Sequence, residues 1–131
     1  MAIEDVLRAG NYHLIDVREP LELEMDGNIA EANNIPLGDI EAHIDEIREL
    51  DGDVIFFCRS GNRSGKATDF YKSQGFDNVY NGGGYNELSA TWNNLEIIDL
   101  YKRKREIVSR FFSFYPWIIT IILNRRCRLR G

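Results

Sequence analysis

The run Val54-Ile55-Phe56-Phe57 followed by Cys58-Arg59-Ser60-Gly61-Asn62-Arg63-Ser64 constrains the fold of this chain more than any other stretch. Four consecutive apolar residues read as a strand buried on both faces, as in parallel sheets. Ala67, Phe70 and Tyr71 then mark the buried side of a helix. The order strand, short polar loop, helix puts Cys58 at the carboxyl end of a strand, facing a helix N-terminus. Such termini present unpaired N–H groups and a partial positive charge, and both favour thiolate over thiol. Arg59 and Arg63 add two permanent positive charges. Gly61 can take a positive φ, which lets successive N–H groups turn inward as an anion cradle. A buried structural cysteine is the ordinary alternative. Two Arg, one Gly and two Ser in the six residues after it are poor core material, however. The stretch reads as a nucleophilic cysteine in an anion-binding loop.

The flanking chain alternates strands and helices. Ile3, Val6 and Leu7 at helical spacing, stopped by Gly10, predict a short first helix. Tyr12 to Val17 reads as a strand with a polar end, and Pro20 opens a helical turn through Glu24. Ile29 to Ile35 is weak strand material ended by Pro36. Asp39 is expected to cap a helix whose face is Ile40, Ile44, Ile47 and Leu50. Gly75 should end the helix after the cysteine loop. Val79-Tyr80 reads as a short strand, Gly82-Gly83-Gly84 as a flexible turn, and Tyr85 to Trp92 as one more helix. This alternation predicts an α/β domain with a mainly parallel sheet. Sites in open sheets of this kind lie beyond the carboxyl ends of strands, where Asp16, Arg18 and Cys58 all fall.

Charge divides the chain. Residues 1–100 carry seven Lys or Arg against twenty Asp or Glu; residues 101–131 carry nine against one. The split predicts a domain, residues 1–95, and a chemically different extension, residues 96–131. Only Cys58 and Cys127 occur, too few for a disulfide framework or a zinc cluster, so no metal or cofactor is expected. The N-terminus lacks the basic start and apolar core of a signal peptide, and a reducing cytoplasm would suit a working thiol. His13 and His43 read as ordinary, partly exposed residues.

With these elements in place, the sequence resembles the single-domain rhodaneses, most nearly the phage-shock type. The matching residues are Leu14 to Pro20, Asn34 to Leu37, Cys58 to Ser64, Gly75 to Tyr80, and the pair Gly83-Gly84. The resemblance covers about residues 3–92 and implies the rhodanese-like three-layer fold, a mainly parallel sheet with helices on both faces. It also implies a thiosulfate sulfurtransferase. Cys58 would take a sulfane sulfur from a small anionic donor, hold it as a persulfide and pass it to a thiol or cyanide. Backbone N–H groups of Arg59, Ser60, Gly61, Asn62 and Arg63 would stabilise the persulfide, and Arg59 and Arg63 would attract the donor. Asp16 and Arg18 would hold the strand end and loop together, with Ser64 in support. Gly27 to Ala32 departs from the family, whose usual histidine is absent here.

Two other functions fit the loop. One is a persulfide carrier that serves a sulfur-relay protein and turns over small donors slowly. The other is a cysteine phosphatase or arsenate reductase, but these place an arginine six positions after the cysteine, where this chain has Ser64; Arg63 comes one position earlier. The shorter cradle suits a single sulfur better than a phosphoryl group. Nothing points to nucleic acid. The extension joins a basic segment, Tyr101 to Arg105, an apolar run, Phe111 to Leu123, and a basic end, Asn124 to Gly131. This almost wholly apolar run of thirteen residues reaches about 20 Å as a helix, short of a bilayer core. The extension is expected to be an incidental addition, docked on the acidic domain or without function, or else to make a peripheral membrane contact through residues 101–131.

Overall fold

A computed structural model describes residues 2–117. The chain divides after Leu95 into two compact units, Met1–Leu95 and Glu96–Gly131. Helix α1 (Ile3–Ala9) leads to strand β1 (Tyr12–Asp16), helix α2 (Pro20–Asp26) and the two-residue strand β2 (Asn33–Asn34). A 3-10 stretch (Leu37–His43) runs into α3 (Ile44–Arg48). Then come β3 (Asp53–Cys58), α4 (Asn62–Ser73), β4 (Val79–Gly84) and α5 (Tyr85–Phe114). All strand pairs are parallel, in the order β2-β1-β3-β4.

The pleat sorts the apolar residues between the two faces of the sheet. Ile15, Val17, Val54, Phe56 and Cys58 pack with Ala67 and Tyr71 of α4 and with Ile40 and Ile47. Leu14, Ile55 and Phe57 pack with Val6 and Leu7 of α1 and with Leu88 and Trp92 of α5. Both faces of β3 are therefore covered, which explains why Val54 to Phe57 contains no polar residue. The result is the expected α/β architecture, a parallel sheet with helices on both faces. Tyr71 ties the first face together. Its hydroxyl donates to the Ile40 carbonyl at 2.6 Å, and burial pushes its pKa up to about 12.

Several elements differ from expectation. Only Asn33–Asn34 of the Ile29–Ile35 stretch enters the ladder, paired with Ile15 and Asp16. Asp39 caps nothing: the turn begins after Pro36 and is 3-10 up to His43, although Ile40 and Ile47 are buried as the spacing predicts. Gly82-Gly83-Gly84 is the end of β4, not a flexible turn. A Cβ on Gly82 would sit 2.7 Å from Ile55 Cγ2, and one on Gly84 would sit 2.8 Å from the Arg59 carbonyl oxygen. The glycines let β4 lie directly against β3 and the cysteine loop.

The last helix does not stop near Trp92 but continues to Phe114. Among the described residues no helix is long and apolar enough to cross a membrane. Ile118 to Leu123, the basic end and Cys127 lie outside the described residues.

Candidate active site

β1 and β3 are neighbours, and their carboxyl ends open at the same edge of the sheet. Cys58 ends β3 and is 0% exposed. The chain turns through Arg59, Ser60 and Gly61, whose φ is 95°, and enters α4 at Asn62. That turn aims backbone donors at the sulfur. The Gly61 N–H donates to Sγ at 3.0 Å and the Ser64 N–H at 3.5 Å. Burial pushes the thiol pKa up. The Ser64 hydroxyl, when it turns its proton to the sulfur, and the N–H groups of Ser64, Ser60 and Gly61 pull it down, and the net result lies below the ordinary thiol value.

The Ser64 hydroxyl has one proton and two claimants. It donates to Asn81 Oδ1 at 2.6 Å and lies 3.5 Å from Cys58 Sγ. The shorter, oxygen-bound contact holds the proton, so the hydroxyl assists the thiolate only when it turns away from Asn81. Asn81 also accepts from the Gly83 N–H at 3.0 Å and donates to the Gly61 carbonyl at 3.1 Å. It thereby joins β4 to Gly61 in the cysteine loop and to Ser64 in the first turn of α4. Nothing in the sequence singles it out, since its partners come from tertiary contact.

The arginines of the loop differ. Arg59 is exposed. Arg63 makes a bidentate ion pair with Glu22 of α2, at 2.7 and 2.8 Å. Glu22 is held down to about 2, first by that hydrogen bond and then by the Glu19 N–H; the latter belongs to a capping box that starts α2. Pro20 marked the helix start in the sequence, but nothing there pointed to this ion pair.

Asp16 and Arg18 form a second pair, each 1% exposed. Nε of Arg18 lies 2.9 and 3.0 Å from the two carboxylate oxygens, and Nη2 lies 2.6 Å from Oδ2. Nη2 also donates to the Gly27 carbonyl at 2.9 Å, and the guanidinium lies 4.4 Å from the Tyr85 ring centre. The pair ties the end of β1 to the segment after α2 and to the start of α5. Asn34 closes the same corner by donating to the carbonyls of Asp16 and Arg18 at 3.0 and 2.8 Å. Ser60 and Asn62 are exposed at the loop. His13 bonds the Asp51 carbonyl and His43 bonds Glu46, both away from Cys58. Among the described residues no cluster of His, Cys, Asp or Glu could hold a metal ion.

The family model of the rhodanese-like domain matches residues 2–91. This chain belongs to that family. It is similar to the uncharacterized protein YqhL of Bacillus subtilis, at 41% identity over 80 residues that cover 60% of this chain and 62% of that protein. It is also similar to a sulfurtransferase of Allochromatium vinosum, at 38% over 78 residues covering 60% and 65%. The chain thus spans less than two thirds of the length of either. Among solved structures it resembles the human single-domain sulfurtransferase TSTD1, with a TM-score of 0.52 and 29% identity over 65% of this chain and 87% of that one. A rhodanese-related protein of Thermoplasma volcanium has a TM-score of 0.54 and 33% identity, over 64% and 82%. These likenesses bear out the expected rhodanese-like fold.

Proposed function

We propose that this protein is a sulfurtransferase that moves a sulfane sulfur through a persulfide on Cys58, from thiosulfate or a similar donor to a thiol or cyanide. The observation that carries the reading is the cradle around Sγ. The Gly61 N–H lies at 3.0 Å and the Ser64 N–H at 3.5 Å, and the thiol is held below its ordinary pKa. Donors fixed in that arrangement stabilise a negative sulfur without reorganising. They would serve the thiolate before transfer and the persulfide after it. Arg59 and Arg63 belong to the donor-binding side of the loop in this reading. The relatives named as sulfurtransferases support the class of reaction.

Incubation with thiosulfate should add 32 Da to Cys58, and cyanide should release the added sulfur as thiocyanate. Cys58→Ser should abolish both. Thiocyanate production by a folded Cys58→Ser protein at the wild-type rate would sink the assignment. A relay role with little turnover on small donors is favoured by the complete burial of Cys58, which would shelter a loaded sulfur until a partner engages the loop. Stable loading without cyanide turnover, discharged only by a partner protein, would mark that version.

A further inference from the structure

The charges around Cys58 do not sum as the loop sequence implies. Asp16 cancels Arg18, and Glu22 cancels Arg63. Of the three arginines here, Arg59 is the one that is exposed and has no ion pair among the described residues. Glu22, held down to about 2, is ionised throughout the neutral range and neutralises its partner there. Arg63 immediately precedes Ser64, whose N–H donates to Cys58 Sγ at 3.5 Å, so the charge of the arginine bears on the nucleophile.

We propose that Glu22 is a specificity-determining residue of the Cys58 site. By neutralising Arg63 it weakens the attraction for small dianionic sulfur donors and favours donors of low charge, such as organic persulfides and thiosulfonates. The inference rests on the sulfur-transfer reading above. With a persulfide R–S–SH, the Cys58 thiolate attacks the terminal sulfur. The S–S bond to the carrier breaks, its electron pair leaves as R–S⁻, and Cys58 keeps the S–SH group. With thiosulfate the same attack expels sulfite, and Cys58 keeps the sulfur as S–S⁻. Glu22 touches neither sulfur. It acts through Arg63, and so sets which donor arrives and not how the bond breaks.

Glu22→Gln isolates the charge. Glutamine serves at this capping-box position and can still hydrogen-bond to Arg63. Because the interaction with one added unit charge scales with ligand charge, the gain for a dianion should be the square of the gain for a monoanion. At low salt, kcat/KM for thiosulfate should rise about tenfold and for benzenethiosulfonate about threefold, mostly through KM. Both gains should shrink as salt is raised. Glu22→Gln/Arg63→Gln removes both charges, so whatever its absolute rates, the preference gained for the dianion over the monoanion should disappear.

A second readout needs no sulfur chemistry. It is the alkylation of Cys58 by anionic iodoacetate relative to neutral iodoacetamide, read on the Cys58 peptide by mass. The ratio cancels the thiolate fraction and should rise about threefold in Glu22→Gln. An unchanged ratio in the folded variant would overturn the proposal even if the protein transfers sulfur well. Equal gains for the dianion and the monoanion would also overturn it. A raised ratio, with no sulfur reaching Cys58 from any donor, would instead overturn the sulfur-transfer reading and the donor class with it.

Discussion

Replacing Asp16 by Asn tests how the charged corner beside the cysteine loop is held. The Asp16 carboxylate meets the Arg18 guanidinium at 2.6, 2.9 and 3.0 Å and accepts the Arg18 backbone N–H at 3.0 Å. Both side chains are 1% exposed, so water cannot replace a lost partner. Breaking a buried pair by neutralising one member costs about 3–5 kcal/mol. Arg18 would keep the Gly27 carbonyl at 2.9 Å and the Tyr85 ring at 4.4 Å, which places the cost near the lower end of that range. A domain of this size has about 5–15 kcal/mol in total, so a loss of about 3 kcal/mol would be plain in a urea titration followed by circular dichroism. Asp16→Leu/Arg18→Met removes both charges and fills the volume with apolar atoms. It should cost less than Asp16→Asn alone, because no charge is left unpaired. A single-variant cost under about 1 kcal/mol would refute the reasoning, and so would a double variant less stable than the single one.

Asn81→Ala loses the bonds to Ser64, Gly83 and Gly61 and should destabilise the fold by about 1–2 kcal/mol. It also frees the Ser64 hydroxyl to donate to Cys58, so the pH dependence of iodoacetamide alkylation should move to lower pH; a shift to higher pH would contradict this account. Glu22, at about 2 in the fold against 4.5 as its ordinary value, contributes stability that is fully present above about pH 5 and lost as pH falls through 4.5 toward 2. Discounted for a side chain 24% exposed, the wild-type advantage over Glu22→Gln should be about 1 kcal/mol at pH 6 and near zero at pH 2 in urea titrations. A chain ending after Leu95 keeps every residue of both apolar clusters and should melt cooperatively and retain Cys58 loading; loss of loading with the fold intact would assign residues 96–131 a role in the site. The full chain exposes Ile97, Leu100, Tyr101, Ile107, Phe111 and Phe114 among basic residues and should co-sediment with anionic vesicles, whereas the shortened chain should not.

The elements that the sequence made legible are those whose reason is local. β3 reads as a strand because both of its faces are covered. α1 and α4 read as helices because their apolar residues fall on one side and Gly10 and Gly75 follow them with φ of 81° and 93°. The Ile29–Ile35 stretch misled because its buried ends, Ile29 and Ile35, pack into different clusters, and only the asparagines between them meet β1. The three glycines at 82–84 looked like a turn because glycine has no strand propensity of its own. Their purpose is clearance from Ile55 and from the Arg59 carbonyl, and neither neighbour is visible from residues 82–84 alone.

The same limit governs the site. The seven residues from Cys58 to Ser64 show a sulfur, a turn and two cations because they are contiguous. What those cations do is decided 41 residues away, where Glu22 meets Arg63. How the Ser64 proton is shared is decided 17 residues away, at Asn81. Counting charges along the loop therefore overstates its pull on anions. One cation is tied up in a pair whose carboxylate stays ionised throughout the neutral range, and only Arg59 is left to act at long range. It follows that two proteins with the same seven-residue loop need not prefer the same donor. The side chain at the third position of α2 sets the sum. A loop of identical sequence facing a neutral residue there should attract small dianions more strongly, with no change in the cradle that holds the sulfur.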